Sequence, residues 1–518
     1  MKTLGVFILL ASTVVLLWAV AAGVNIMGGR LPGPWDVAPG PPLAGGRSVP
    51  SVNSLHEIRH SALTLTLGDP ATSGLGGWPG TFDAAPKAYD FDGDGIEELA
   101  ALNNDTNVYV FSARTGRVLA KLPTQTPPGW HIERVLNGVE AGVLRPGEAP
   151  SLVVTNHAAY VTVWRFVALQ SNADQFAFEK AWERRSDDCF WNPGMDAKPT
   201  LADVNRDGVQ EILVQTEETG LIALNADGTR LWHHCWGGGN AEPIVADLQA
   251  DGDVDVIFAS DAGMLVVLRG TDGSPQWSFN ADNPAYGVKP ASISVAPTVA
   301  ELDGKPPLEV VFTARDAPSN DSSQFSTFHL AIFAVHQSPT TWQTELYWMR
   351  QPTWAHPLSY TKILASDIDA DGRTDLFGMD WNTVGHQPGN WEPLAGAHLF
   401  RLDALGQDVW VNTIDTWWSN KDIVFADPNG DGDMEVMLNG AHEGADGLWV
   451  VGAKTGDSRG FISAAPWRIM RGPTFADLHH DGVSEIIVPV EPDEQRPTRG
   501  AFLVFTLGPT MNPTPVTP

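Results

Sequence analysis

The chain has 518 residues, well beyond one small domain, and 43% of them are hydrophobic, so it can bury an extensive core rather than stay disordered. A formal net charge of −30 argues against a nucleic-acid phosphate partner and against a basic membrane-surface patch. Only two cysteines are present, Cys189 and Cys235, which excludes a disulfide framework and a Cys-rich zinc or iron–sulfur module; their spacing does not say whether they pair.

Lys2 precedes an uncharged apolar run from Leu4 to about Met27. Ala19-Val20-Ala21 offers a signal peptidase a small-residue site, and an uncut run of this length spans a bilayer. Residues 1–27 are therefore read as a signal peptide, with an N-terminal membrane anchor as the alternative. Either way the remainder is exported: secreted, periplasmic or at the cell surface. Residues 28–57 form a Pro/Gly-rich linker, 58–507 the folded domain, and 508–518 a frayed tail.

The folded domain is repetitive. DFDGDGIEEL begins at Asp90, DVNRDGVQEI at Asp203, DLQADGDVDV at Asp247, DIDADGRTDL at Asp367, DPNGDGDMEV at Asp427 and DLHHDGVSEI at Asp477. A damaged copy starts at Glu301 and a more eroded one, VLRPGEAPSL, at Val143; neighbouring starts are 44 to 66 residues apart. That spacing accommodates a four-stranded propeller blade. A proline stands four residues before the loop in five copies (Pro86, Pro199, Pro243, Pro297 and Pro473), where an innermost strand needs no donor. Each loop leads into an apolar run such as EILVQT, then a second such as GLIALNADG, and a turn such as Asp227-Gly228 before an outer strand carrying Trp232 or Trp277. The expectation is an all-β fold, a propeller of eight four-stranded blades, or seven if the Val143 copy is only a loop. The last copy lacks a fourth strand, which the alternating segment 61–67 is expected to supply.

Counted from its first residue, each intact loop offers side-chain oxygens at positions one, three, five and nine, a backbone carbonyl at seven and a turn glycine at six. The candidate ligands are Asp90, Asp92, Asp94, Ile96 and Glu98; Asp203, Asn205, Asp207, Val209 and Glu211; and Asp247, Gln249, Asp251, Asp253 and Asp255. They continue with Asp367, Asp369, Asp371, Arg373 and Asp375; Asp427, Asn429, Asp431, Asp433 and Glu435; and Asp477, His479, Asp481, Val483 and Glu485. Such oxygen sets suit Ca2+, in about six structural sites; magnesium wants a tighter octahedron. The loops at Asp90 and Asp367, with four carboxylates each, are expected to bind most firmly, and the His479 loop least. In the Glu301 copy Lys305 occupies position five, and its ammonium is expected to bridge Glu301, Asp303 and Glu309 in place of an ion. An EF-hand is excluded because position twelve is apolar or glycine, inside the next strand.

The repeated DxDxDG-x-x-[DE] core resembles the FG-GAP/VCBS repeats of integrin α-chain heads and bacterial surface proteins, over about residues 80–507. The resemblance implies calcium ions that stiffen blade hairpins and a ring that presents loops to protein or glycan partners. The Phe-Gly and Gly-Ala-Pro tags are absent, which places the chain nearer the VCBS-like branch. The ADG-x-x-x-W ends also look like quinoprotein propeller repeats.

No GxSxG, HExxH, Walker or dinucleotide motif appears, and no catalytic residue is assigned. The cluster His233-His234-Cys235-Trp236 lacks zinc spacing. Region 342–418 holds eight of the 20 tryptophans. Of these Trp354, Trp381, Trp391, Trp417 and Trp418 are the candidates for stacking on a glycan or anchoring a protein, whereas Trp410 reads more readily as packing between blades. The leading reading is an adhesion or scaffolding propeller. The alternatives are a polysaccharide-active enzyme resembling rhamnogalacturonan lyases, with His356, Tyr360 and His386 near the cleft, and a quinoprotein-like dehydrogenase.

Overall fold

The chain divides into two units, 1–51 and 52–518. The computed structural model describes residues 86–505, all within the second, apart from short stretches of which the longer are 126–137, 187–194, 317–329, 354–361, 381–396, 415–422, 427–432, 479–484 and 492–500. The expected leader, linker, tail and strand at 61–67 lie outside the described residues, and among the described residues no helix is long and apolar enough to cross a membrane.

Eight antiparallel sheets follow one another along the chain, over 87–123, 139–185, 200–234, 244–280, 291–350, 364–414, 423–463 and 468–505. These are blades 1 to 8 of a β-propeller. The Val143 copy is a complete blade, which settles the count at eight rather than seven. Blade 3 shows the plan: innermost strand Thr200–Ala202, second strand Glu211–Thr216, third Gly220–Leu224 and outermost Arg230–His234. In blades 5 and 8 the innermost strand comes in two pieces on the same edge of the second strand. Outside Ala501–Phe505, the third strand of blade 8, no further strand is found among the described residues.

The second strands are apolar on both faces because each sheet is covered on both sides, so period-two alternation sends successive residues to different neighbours. In blade 1, Ala100 and Leu102 pack toward blade 2, whereas Leu99 and Ala101 meet Ile487, Phe502 and Val504 of blade 8. Eight clusters of this kind fill the eight sheet-to-sheet interfaces, and the one between blades 8 and 1 closes the ring. Innermost strands are tied along the axis by hydroxyls three residues before the loop start. Thr200 donates to the carbonyl of Pro243 at 2.8 Å and Thr474 to that of Pro86 at 3.2 Å. At the matching position Lys87 pairs with Glu140 at 2.5 Å, and Glu140 with Lys198 at 2.7 Å. Burial pushes the Glu140 carboxyl up, but the two lysines hold it below its ordinary range.

Candidate metal centres in the blade loops

Every acidic loop joins an innermost strand to a second strand, and position nine is the first residue of that second strand: Glu98, Glu211, Asp255, Glu309, Asp375, Glu435 and Glu485, with Ser151 in blade 2. The ladder fixes it there, since Tyr89 pairs with Glu98, Ala202 with Glu211 and Ser366 with Asp375. All seven acids are buried. Six of them accept the amide of the loop's second residue: Phe91 at 3.1 Å, Val204 at 3.1 Å, Leu248 at 3.0 Å, Leu302 at 2.9 Å, Ile368 at 3.3 Å and Leu478 at 2.8 Å. Those second residues are apolar and, apart from Ile368, fully buried, so each loop is pinned by a side chain below and a carboxylate above.

The position-one carboxylate organises the outer half. Asp90 accepts from Gly93 at 2.7 Å and Gly95 at 2.9 Å; Asp203, Asp247 and Asp367 accept the amides at positions five and six over 2.8 to 3.1 Å. The turn glycine at six has φ +85° in Gly95 and +84° in Gly208 and Gly372, as the motif requires. Position four is also left-handed, and there the residue is often not glycine: Arg206 at +64°, Ala250 at +54° and Ala370 at +59°. Each costs about 1 kcal/mol, offset by the amides its neighbours place on the carboxylate.

These loops concentrate negative charge. Burial, with Asp92, Asp94 and Asp90 close by, pushes the Glu98 carboxyl up to about 8. The same causes raise Glu211 to about 7 and Asp255 to about 6. Asp90, Asp92 and Glu98 bring one oxygen each within 4.8 Å of one another, as do Asp367, Asp369 and Asp371. The donors are oxygens alone, they converge, and in blade 1 they repel one another; this set fits a hard divalent cation. Asn205 turns its oxygen to the Asp207 amide at 2.9 Å, while the amide of Gln249 donates to Gln337 of blade 5 at 3.0 Å. Asp427, Asn429 and Asp431, and His479, Asp481 and Val483, lie outside the described residues; of these two loops only Asp433, Glu435, Asp477 and Glu485 are described.

The loops differ in what faces the position-nine acid, which sequence reading missed. Gln276 donates to Asp255 in blade 4 at 2.5 Å. In blade 6 the Arg401 guanidinium spans Asp369 and Asp375 at 2.6 and 2.7 Å, and in blade 7 Arg459 stands 3.8 Å from Glu435. Blade 2, whose loop has lost its aspartates, uses an ion pair of Arg165 with Glu148 at 3.2 Å. In blade 5, Lys305 reaches Asp303 at 3.3 Å but not Glu309, contrary to the expected three-way bridge; the Glu309 carboxylate instead meets His336 Nδ1 at 3.0 Å. The ammonium is exposed at the loop tip, whereas Glu309 lies at the root of the sheet, beside the third strand that carries His336.

The tryptophans of the outer strands form a recurrent clasp between blades. Trp182, Trp232, Trp348 and Trp410 each donate their indole N–H to a carbonyl of the following blade, those of Ala226, Gly270, Ala404 and Ala453, at 2.6 to 3.1 Å. Each ring lies on the turn glycine of that blade, where an added Cβ would come within 2.6 to 3.0 Å of it. Trp410 is thus a packing residue. Trp354, Trp381, Trp391, Trp417 and Trp418, with His356, Tyr360 and His386, lie outside the described residues. The strand ends that flank 354–361, 381–396 and 415–422 are at the end of the sheets opposite the acidic loops, because these segments join second to third strands or one blade to the next. His234 of the HHCW cluster stacks edge-on to Phe258, and Cys235 is disulfide-bonded; the chain's other cysteine is Cys189. The inner strands of blades 1 to 3 border a cavity of about 520 Å³, lined by Tyr89, Glu140, Lys198, Thr200 and Gln210 among others.

An eight-bladed β-propeller is what this geometry defines. No family model and no curated protein matches the chain. Among solved structures, Sqt1 of Saccharomyces cerevisiae matches with a TM-score of 0.53 at 9% identity, over 83% of this chain and 97% of that one. BamB from Moraxella catarrhalis matches at a TM-score of 0.44 and 12% identity, over 82% and 98% of the two chains. The V. cholerae biofilm matrix protein Bap1 matches at 0.37 and 16% identity, over 82% and 77%. At 9% identity the likeness to Sqt1 is one of fold alone.

Proposed function

We propose that the chain is an exported propeller of the FG-GAP/VCBS type, in which Ca2+ held by acidic loops stiffens one end of the blades while the other end carries loops for a protein or glycan partner. Its role is adhesion or scaffolding, and the calcium is structural. The observation that carries this reading is blade 1, where Asp90, Asp92 and Glu98 converge within 4.8 Å and the third strand, Asn107–Phe111, carries no basic side chain. Without an ion, repulsion in this loop is eased by a proton on Glu98; a divalent cation would answer the whole carboxylate set at once. When bound, the ion supplies charge neutralisation and six to eight oxygen contacts that cross-link loop and sheet. The disulfide at Cys235 supports an oxidising compartment, and extracellular calcium near millimolar concentration would fill even modest sites.

Elemental analysis of the full chain after equilibration in 1 mM calcium and gel filtration tests the reading. Several bound calcium ions per chain are expected; a chain that emerges without any would sink it. For the opposite face, Trp391→Ala and Trp418→Ala are expected to reduce capture on an array of acidic and neutral glycans or surface proteins without lowering the melting temperature.

A further inference from the structure

The loop at Asp367 has as many carboxylates as the loop at Asp90, and three of them converge as closely. What faces them is different. Two residues into the second strand of blade 6, Phe377 pairs with Arg401 on the third strand. The equivalent third-strand residues are Val110, Val163, Ala223, Val267, Ala334, Val450 and Val504 in the other seven blades. A guanidinium therefore stands where every other blade has an aliphatic side chain. Arg401 is 3% exposed; its Nη2 donates to Asp369 and Asp375, and its Nη1 donates to the carbonyl of Lys454 in blade 7 at 3.0 Å.

We propose that Arg401 is a built-in counter-ion that takes the place of the divalent ion in the Asp367 loop. The inference rests on the reading of the other loops as calcium sites. Arginine keeps its charge at any pH a folded protein meets. A divalent ion at positions one, three and five would share Asp369 with that fixed charge, and repulsion at such short range outweighs what one more carboxylate adds. Arg401 cannot swing aside cheaply, because leaving would strand the buried Asp375 and the Lys454 carbonyl. It also takes position nine out of the ligand set. Carboxylate count ranks the Asp367 loop with the strongest; the guanidinium makes it, alone among the six intact loops, one that does without metal, and ties blade 6 to blade 7 at any calcium concentration.

Bound calcium is counted on the full chain after equilibrium dialysis at 1 mM, for wild type, Asp92→Asn, Asp369→Asn and Arg401→Met. Asp92→Asn is expected to lose one ion per chain, Asp369→Asn none, and Arg401→Met to gain one. Equal losses from Asp92→Asn and Asp369→Asn would overturn the role of Arg401 while leaving the calcium reading intact; no calcium in any variant would overturn both. Should Arg401→Met fail to fold, hydrogen exchange of the wild type decides. In EDTA the amides of Gly95 and Ile96 are expected to lose protection and those of Gly372 and Arg373 to keep it. Parallel loss in both loops would overturn the proposal.

Discussion

In blade 1 Gly93 takes φ +77°, and Asp90 gathers the amides of Gly93 and Gly95; in blade 5 Gly304 takes φ +84°, and Glu301 gathers those of Asp303, Gly304 and Lys305. At the root of the loop, Glu98 accepts from Phe91 at 3.1 Å and Glu309 from Leu302 at 2.9 Å. The first half of the loop is alike, with a left-handed glycine at four and amides gathered on position one, although blade 5 has lost the aspartate at five and has a cis Pro306-Pro307 bond where blade 1 has the left-handed Gly95. The shape of these loops is therefore set by amides converging on two carboxylates and by an apolar second residue. What varies is how the charge is answered. Blade 5 uses His336 and Lys305, whereas among the described residues of blade 1 no basic side chain pairs with Glu98, and on our reading that loop depends on an ion.

The largest test of this contrast is removal of calcium. Each site occupied at about 100 times its dissociation constant contributes about 2.7 kcal/mol, so EDTA should lower the melting temperature by more than about 5 °C. Asp90→Asn should shrink that shift and Lys305→Met should leave it unchanged. A calcium-loaded protein whose melt ignores chelator would break the contrast at its root. Next in size is His336→Leu, which leaves Glu309, fully buried, without its partner. A loss of about 3 kcal/mol is expected, equal with and without calcium; a loss seen only in calcium-free protein would place metal in blade 5 after all.

The half of this contrast that lies within one loop was legible in the sequence. Position nine, the turn glycine and the proline before the innermost strand are local patterns, and the run EILVQT that follows one such loop is the second strand of blade 3, Glu211–Thr216. The Trp232 clasp was half legible: the outer strand was foreseen, its seat on Gly273 was not. The counter-ions were out of reach because they arrive across the sheet. Arg401 meets Asp369 from 32 residues away and His336 meets Glu309 from 27, distances fixed by strand register and a bulge rather than by any motif. Nor do the residues at position four advertise a left-handed backbone when they are Arg206, Ala250 or Ala370.

Acidity separates the two blades more gently. Glu98, at about 8, sits above its ordinary value near 4.3, so between those pH values the metal-free native state holds a proton that the unfolded chain has lost. Stability must then fall as pH rises across that window, and calcium, which needs the carboxylate ionised, should flatten the fall. Glu98→Gln is expected to remove part of the slope in EDTA, and an unchanged slope would count against the buried-charge account. His336 is raised by its bond to Glu309. Its contribution is complete below about 6.5 and is lost as pH rises through the higher folded value. Blade 5 thus adds a fall that calcium does not touch, and His336→Gln should take it away.

The smallest effect tests the shared backbone directly. An added Cβ on Gly93 or Gly304 would meet no atom within 4 Å, so the space is open in both loops. Only the left-handed φ opposes alanine there, at about 1 kcal/mol, and Ala250 and Ala370 show that the loops bear that strain. If the carboxylate-bound amides set the path in both blades, Gly93→Ala and Gly304→Ala should cost the same in EDTA, as read from urea midpoints at constant slope. If blade 1 instead relaxes when its ion is gone, the Gly93 substitution becomes free in EDTA while Gly304→Ala keeps its cost. That asymmetry would mean that metal, rather than the amide cradle, holds the first loop in shape.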